Sequence, residues 1–189
     1  MINIVFMGPP GAGKGTQAKF ICNEYKIPQI STGEILRNAM NEGTELGEKA
    51  KEFVESGKLV PDEIVIGIVK ERIQKSDCER GFLLDGFPRT LKQAQELDNI
   101  LSELNKILHV VINIDVSEKE LVERLLRRAK IEGRSDDTEE VIRARMKTYF
   151  EQTYPLIEYY KEKKLLRNID GLGSVEEITS RIKEALKNV

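Results

Sequence analysis

A chain of 189 residues, 40% hydrophobic and 33% charged, has the proportions of a compact globular domain with a substantial core, not of a disordered segment. Lys plus Arg total 30 against 32 acidic residues, and the resulting net charge of -2 excludes a surface built as a whole to hold nucleic acid. Two widely spaced cysteines, Cys22 and Cys78, supply neither a zinc quartet nor a disulfide framework, and no apolar run reaches the length of a membrane span. These features lead us to expect a cytoplasmic protein with reduced thiols.

The first element, Ile2-Asn3-Ile4-Val5-Phe6-Met7, reads as a short buried strand running into a glycine loop. It has no basic flank, so it is not expected to be a secretory leader. Pro28 to Ser31, Gly81 to Asp85, Leu108 to Asp115 and Leu165 to Asp170 are the further strand candidates. Helical stretches separate them, several announced by a Ser or Thr answered three residues later by Glu or Gln: Ser31 with Glu34, Thr90 with Gln93, Ser117 with Glu120, Ser174 with Glu177. Near-continuous apolar strands alternating with helices imply an α/β fold, a parallel sheet with helices on both faces.

Two segments break the rhythm. Thr32 to Val60 reads as helical, punctuated by Gly43, Gly47 and Gly57 and closed by Pro61. Arg127 to Asp137 is short, polar and arginine-rich, with Gly133 inside it, and Asp137 with Glu140 has cap spacing. Both segments read as insertions over one end of the sheet and as candidate moving parts. His109, the sole histidine, opens a strand and is read as structural.

The strongest signal is Gly8-Pro9-Pro10-Gly11-Ala12-Gly13-Lys14-Gly15-Thr16, a P-loop pattern lying between a strand and a helix. Its glycines let consecutive backbone N–H groups curl around phosphate oxygens, the helix start adds its positive end, and Lys14 adds a full charge. One departure stands out: Gly15 follows the lysine, and the hydroxyl arrives one residue later at Thr16, which weakens a magnesium role for that hydroxyl. Gly13, Gly15 and Ala18 nominally satisfy a dinucleotide fingerprint, but Lys14 lies inside it and no acid ends the second strand. Asp170 to Gly173 spells a GTP-switch pattern, but it stands near the C-terminus, and Asn105-Lys106 lacks the acid that guanine readers use.

Further along, Ser31-Thr32-Gly33-Glu34-Ile35-Leu36-Arg37, Gly57-Lys58-Leu59-Val60-Pro61-Asp62, Asp85-Gly86-Phe87-Pro88-Arg89 and Gly133-Arg134-Ser135-Asp136-Asp137 follow in order. With the P-loop, these motifs closely resemble the adenylate kinase family over essentially the whole chain. The brevity of the segment after Arg127 resembles the short-lid form, without the zinc cluster that long lids sometimes carry. The resemblance implies a P-loop NTPase-type, five-stranded parallel core over 1–30, 61–126 and 138–189, an NMP-binding insertion at 31–60 and a lid at 127–137. It implies reversible phosphoryl transfer from Mg-ATP to AMP giving two ADP, hence a role in adenine nucleotide balance, and a monomer without nucleic-acid or membrane partners.

The residues suit that chemistry on their own terms, because phosphoryl transfer depends mainly on positioning and charge neutralisation. Lys14, Arg37, Arg89, Arg128, Arg134 and Arg145 are candidate phosphate-binding cations, and arginine grips phosphate bidentately. By resemblance, Gly11, Ala12, Gly13, Lys14, Gly15, Thr16, Arg124, Arg128 and the Gly173 backbone serve ATP. Thr32, Arg37, Lys58, Leu59, Val60, Gly86, Phe87, Pro88, Arg89 and Gln93 serve AMP, while Arg134 and Arg145 bridge the phosphates. Asp85 is the magnesium candidate, through water; Glu34 stands where many relatives have Asp.

Two residues keep two readings. Gln93 reads the adenine edge or folds back as a helix cap, and Arg124 stacks on adenine or pairs with Glu120 on an exposed helix face. Two rival functions also stand. A pyrimidine monophosphate kinase shares the scaffold, but its resemblance carries alanine at position 32 and asparagine at 90, where Thr32 and Thr90 stand here. A nucleotide-dependent switch needs no second anion pocket, and Arg37, Arg89, Arg134 and Arg145 point to one.

Overall fold

The computed structural model of the chain describes residues 1–132, 138–187 and 189. Five parallel strands form one sheet: β1 (Ile2–Met7), β2 (Gln29–Ser31), β3 (Gly81–Asp85), β4 (Val110–Asp115) and β5 (Leu166–Asp170), in the order β2-β3-β1-β4-β5. The expected strands are all present, with three of them starting one or two residues later than their apolar runs. The shift at the fourth has a visible cause. His109 Nδ1 accepts from the Asn3 backbone N–H at 3.0 Å, and His109 N–H donates to Asn3 O at 3.0 Å, so this residue joins the two strands before the regular ladder begins. Burial, and then the charged chain terminus, hold its imidazole below the ordinary range, as suits a structural histidine.

Alternation along the strands divides the core. Ile4 and Phe6 face α1 (Lys14–Tyr25), α6 (Glu118–Glu132) and α9 (Val175–Leu186), together with Leu83, Ile112 and Ile114. Val5 and Met7 face the opposite layer with Phe82, Leu84 and Val111, packed against α4 (Asp62–Ile73), α5 (Leu91–Glu103) and α8 (Leu156–Glu162). Burial on both faces explains why these strands read as unbroken apolar runs. Each fully buried Ile, Leu or Phe contributes on the order of 1.5–3 kcal/mol. Both thiols are buried, which pushes Cys22 up to about 12 and Cys78 up to about 11, so neither is poised to react.

The helical stretch after β2 is two helices, α2 (Thr32–Asn41) and α3 (Glu45–Glu55), parted at Gly43. Ser31 caps the first, accepting from Glu34 N–H at 3.4 Å, and Thr44 caps the second through Gly47 N–H at 3.2 Å. Pro61 does not close this segment but opens the next, as N-cap of α4; its fixed φ, here -47°, and missing N–H suit a helix start. Ser174 and Glu177 form the full reciprocal capping box at α9.

The segment expected over the sheet at 127–137 is described only in part. Residues up to Glu132 continue α6, whereas 133–137, and with them Arg134, Asp136 and Asp137, lie outside the described residues. The helix that follows, α7 (Glu139–Thr148), takes its cap from Thr138, whose hydroxyl accepts from Val141 N–H at 3.3 Å, in place of the expected Asp137 and Glu140 pair. Beyond α7 the chain runs through a π-helical turn, Tyr149–Thr153, closed by Tyr154 N–H donating to Tyr149 O at 2.8 Å. No helix among the described residues is long and apolar enough to cross a membrane.

Candidate active site

The carboxyl ends of β1, β2 and β3 meet at the crevice that parallel α/β sheets use for ligands. Register places Phe6 beside Asp85 and Asp85 beside Ser31, so the P-loop, the magnesium candidate and the start of α2 adjoin although 25 and 54 residues separate them.

At the P-loop, Gly11 and Gly13 hold φ of +84° and +91°, a left-handed backbone that L side chains resist. The α1 helix starts directly afterwards at Lys14. Lys14 Nζ turns back onto the loop, donating to Gly8 O at 2.7 Å and Pro9 O at 3.0 Å. Burial lowers its pKa to about 7; Asp85 opposes the shift, while Arg89, Arg145 and Arg128 reinforce it. A phosphate arriving here meets a lysine that its surroundings discourage from carrying charge until an anion is present.

The Gly15 departure has a structural counterpart. A Cβ built at Gly15 would stand 3.6 Å from Asp85 Oδ2, so position 15 is the one facing the magnesium candidate. Thr16, one residue on, is exposed and lines neither cavity described below. Asp85 itself is buried and accepts from Gln29 Nε2 at 3.2 Å.

Two adjoining cavities occupy the crevice. The first, of about 530 Å³, opens against Gly8, Pro10, Lys14 and Pro88. The second, of about 600 Å³, takes in Thr32, Arg37, the Lys58-Leu59-Val60 segment and Gln93. Gly57, Leu59, Gly86, Arg89 and Arg145 line both. The expected cations Arg89 and Arg145, 56 residues apart in the chain, therefore stand on the wall between the two spaces.

That wall is braced on every side. Gly86 O accepts from Thr32 Oγ1 at 2.9 Å and from Arg89 Nε at 2.8 Å, which fixes the root of α2 and the arginine on one carbonyl. Thr153, from the π-helical turn, donates to Arg89 O at 2.8 Å. The Thr148 hydroxyl is shared between Ala144 O at 2.9 Å and Gly57 O at 3.2 Å, tying α7 to the end of α3. Gly57 permits that approach: a Cβ there would stand 3.0 Å from Ala144 Cβ and Val141 O.

The remaining sequence-read residues are placed less uniformly. Phe87 is wholly buried in the core, so its side chain supports the wall and does not line it. Arg128 lines neither cavity but lies close enough to Lys14 to act on its charge. Arg124 is anchored, its Nε on Glu120 Oε1 at 2.7 Å, the pair that the helix-face reading named, and its Nη2 on Gly171 O at 2.9 Å. Gly173 sits exposed in the loop after β5 with φ +113°. Gln93 folds back as the cap reading had it, with Thr90 Oγ1 accepting from its backbone N–H at 3.2 Å and its own Oε1 accepting from Arg89 N–H at 2.7 Å, and its side chain also lines the second cavity.

Several residues that matter here had no site role in the sequence reading. Leu36, Val54 and Val65 join Leu59 and Val60 in the apolar lining of the second cavity. Thr148, at the end of α7, lines the first cavity with Tyr149 and Thr153 from a π-helical turn that no periodicity announces. Asp62, quoted within a motif, accepts from both Thr90 and Gln93.

Comparison with known proteins agrees with this geometry. A family model described as adenylate kinase matches residues 6–165. The chain is 55% identical over 186 residues to an adenylate kinase of Leptospira biflexa serovar Patoc, covering 98% of this chain and 100% of the relative. An adenylate kinase of Nocardioides sp. is 51% identical over 185 residues, with 98% and 97% covered. An adenylate kinase of Archaeoglobus fulgidus is 47% identical over 215 residues, with 100% and 99% covered; the match is longer than this chain, so that relative carries residues this chain lacks.

Proposed function

This chain belongs to the adenylate kinase family in its short-lid form, and on that premise we propose how its two cavities divide one reaction. The activity is that of a nucleoside monophosphate kinase: reversible phosphoryl transfer from ATP to AMP, giving two ADP. In our reading the cavity against the P-loop takes ATP, and the cavity holding Thr32, Arg37 and Gln93 takes AMP. The observation that carries this is the shared wall, where Arg89 and Arg145 face both spaces.

Two nucleotides meeting end to end crowd several negative charges together. Lys14, Arg89, Arg128 and Arg145, joined by Arg134 in the family pattern, neutralise that charge as the phosphoryl group passes from one oxygen to the next. The α2 start, through Thr32 and Arg37, sets the AMP phosphate in line, and its attacking oxygen is already ionised, so no general base is needed. Residues 31–60 act as the monophosphate-binding segment and 127–137 as the lid. Their closure excludes water, which otherwise competes as acceptor.

Asp85 suits magnesium. A single buried carboxylate beside the P-loop helix matches an ion that keeps most of its waters and takes further ligands from phosphates. Magnesium bound with the triphosphate would supply charge neutralisation at the β- and γ-oxygens. Two buried, unreactive thiols accord with a cytoplasmic setting, and the family likeness favours a monomer.

The test is a coupled assay for ADP formation from Mg·ATP with AMP, CMP, UMP and GMP in parallel. AMP should be preferred, and Arg89→Ala should lower kcat with AMP by about 10²–10³-fold while the protein stays folded. A pyrimidine preference would keep the wall and overturn the assignment of the second cavity. Near-native turnover in folded Arg89→Ala would overturn the shared-wall mechanism.

A further inference from the structure

Asp62 stands at the first position of α4, and its Oδ1 accepts two hydrogen bonds, from Gln93 Nε2 at 2.8 Å and from Thr90 Oγ1 at 3.0 Å. Thr90 Oγ1 accepts in turn from Gln93 N–H at 3.2 Å, which closes a ring through both ends of Gln93. On its other side the amide is held as firmly: Gln93 Oε1 accepts from Arg89 N–H at 2.7 Å.

These partners determine which way the amide points. A backbone N–H only donates and an ionised carboxylate only accepts, so Oε1 must face Arg89 and Nε2 must face Asp62. Rotating the amide by half a turn would set oxygen against carboxylate and NH₂ against N–H. Both bonds would be lost and replaced by like-with-like contacts inside a site where Gln93 is 1% exposed.

Gln93 nevertheless lines the cavity, and beyond these bonds its amide retains one Nε2–H and one Oε1 lone pair. Their order around the amide is fixed by the lock. A base edge that pairs with both must offer a donor to Oε1 and an acceptor to Nε2. A 6-aminopurine does so with its amino group and adjacent ring nitrogen. A 6-oxopurine presents an oxygen where the amino group stood, which the locked amide meets with its own oxygen. Apolar Leu36, Val54 and Val65 line the same cavity and offer a mismatched polar edge no hydrogen bond in compensation.

We propose that Asp62 is a positioning residue that locks the Gln93 amide against rotation and thereby makes this cavity select 6-amino over 6-oxo purine monophosphates. The inference rests on the reading of this cavity as the acceptor site and on Gln93 facing the base.

The experiment compares kcat/KM for AMP and inosine monophosphate at saturating Mg·ATP in the unmutated enzyme, Asp62→Asn and Gln93→Ala. Asparagine is isosteric and both donates and accepts, so it removes the Asp62 half of the lock and leaves Arg89 N–H alone to orient Gln93. The AMP-to-inosine monophosphate ratio should fall about tenfold in Asp62→Asn, within the range for one base-edge pair. The change should lie in the acceptor KM, with KM for ATP and kcat for AMP unmoved. A ratio unchanged in folded Asp62→Asn but lowered in Gln93→Ala would overturn the lock and leave the base reading standing. A ratio unchanged in Gln93→Ala would overturn the base reading itself. If Asp62→Asn does not fold, the unmutated enzyme carries the test by NMR. Its two Gln93 side-chain amide protons should give distinct signals that exchange slowly with solvent; an averaged, freely exchanging amide would overturn the lock.

Discussion

The two cavities are made of different material. In the proposed division, the ATP side is centred on contiguous main chain, a loop whose glycines hold φ of +84° and +91° and whose lysine rests on the loop's own carbonyls. The AMP side is built from side chains on separate elements: Thr32 and Arg37 from α2, Gln93 from α5, Arg145 from α7, with Asp62 from α4 behind them. A main-chain cradle recognises phosphate, which every nucleotide carries. A side-chain pocket can distinguish one base from another, because donors and acceptors can be ordered there. The division teaches where generality and specificity sit in this molecule.

Damage confined to one side should show that division most sharply. Lys14→Ala removes the one side-chain charge of the cradle, and kcat/KM for ATP should fall about 10²–10³-fold, with equilibrium binding of AMP changed by less than about threefold. Comparable losses of both affinities, measured by calorimetry, would mean that the cavities are not separable.

The shared wall offers the opposite case. Gly57→Ala sets a methyl 3.0 Å from Val141 O and Ala144 Cβ at a φ of +72°. Destabilisation of about 1–3 kcal/mol in urea unfolding is expected, with KM raised several-fold for both nucleotides together. A rise for AMP alone would place Gly57 on one cavity only.

The smallest effect is a proton. Lys14 has a pKa near 7 in the free enzyme, against 10.5 for an ordinary lysine, because of burial and the nearby arginines. Below about pH 7 the amine is charged with or without a triphosphate; above it, binding must draw in a proton. Calorimetry of ATP binding in buffers of different ionisation enthalpy should show uptake approaching one proton at pH 8.5 and almost none at pH 6. In the free protein the same shift has a definite sign: between about 7 and 10.5 the unfolded chain holds the extra proton, so this group's contribution makes stability rise with pH there. Equal uptake at both pH values would remove Lys14 as the titrating group.

Legibility followed the same boundary between main chain and side chain. The five strands and their two-faced burial could be read because apolar runs and alternation are local patterns, and the P-loop because its chemistry resides in consecutive backbone groups. Pro61 was read as the end of one segment but opens the next helix, because a fixed φ and a missing N–H suit either boundary and only packing selects between them.

By itself, then, the sequence determined an α/β sheet, a phosphate loop with Lys14 and a set of arginines suited to two nucleotides. Tertiary structure decided which arginines share a wall, that Thr153 braces Arg89 from 64 residues away, and that Asp62 orients Gln93 across 31. The reason is physical. A main-chain site needs only neighbours in the chain, whereas a hydrogen bond between side chains on different helices leaves no period or spacing in the sequence and exists only once the helices are packed.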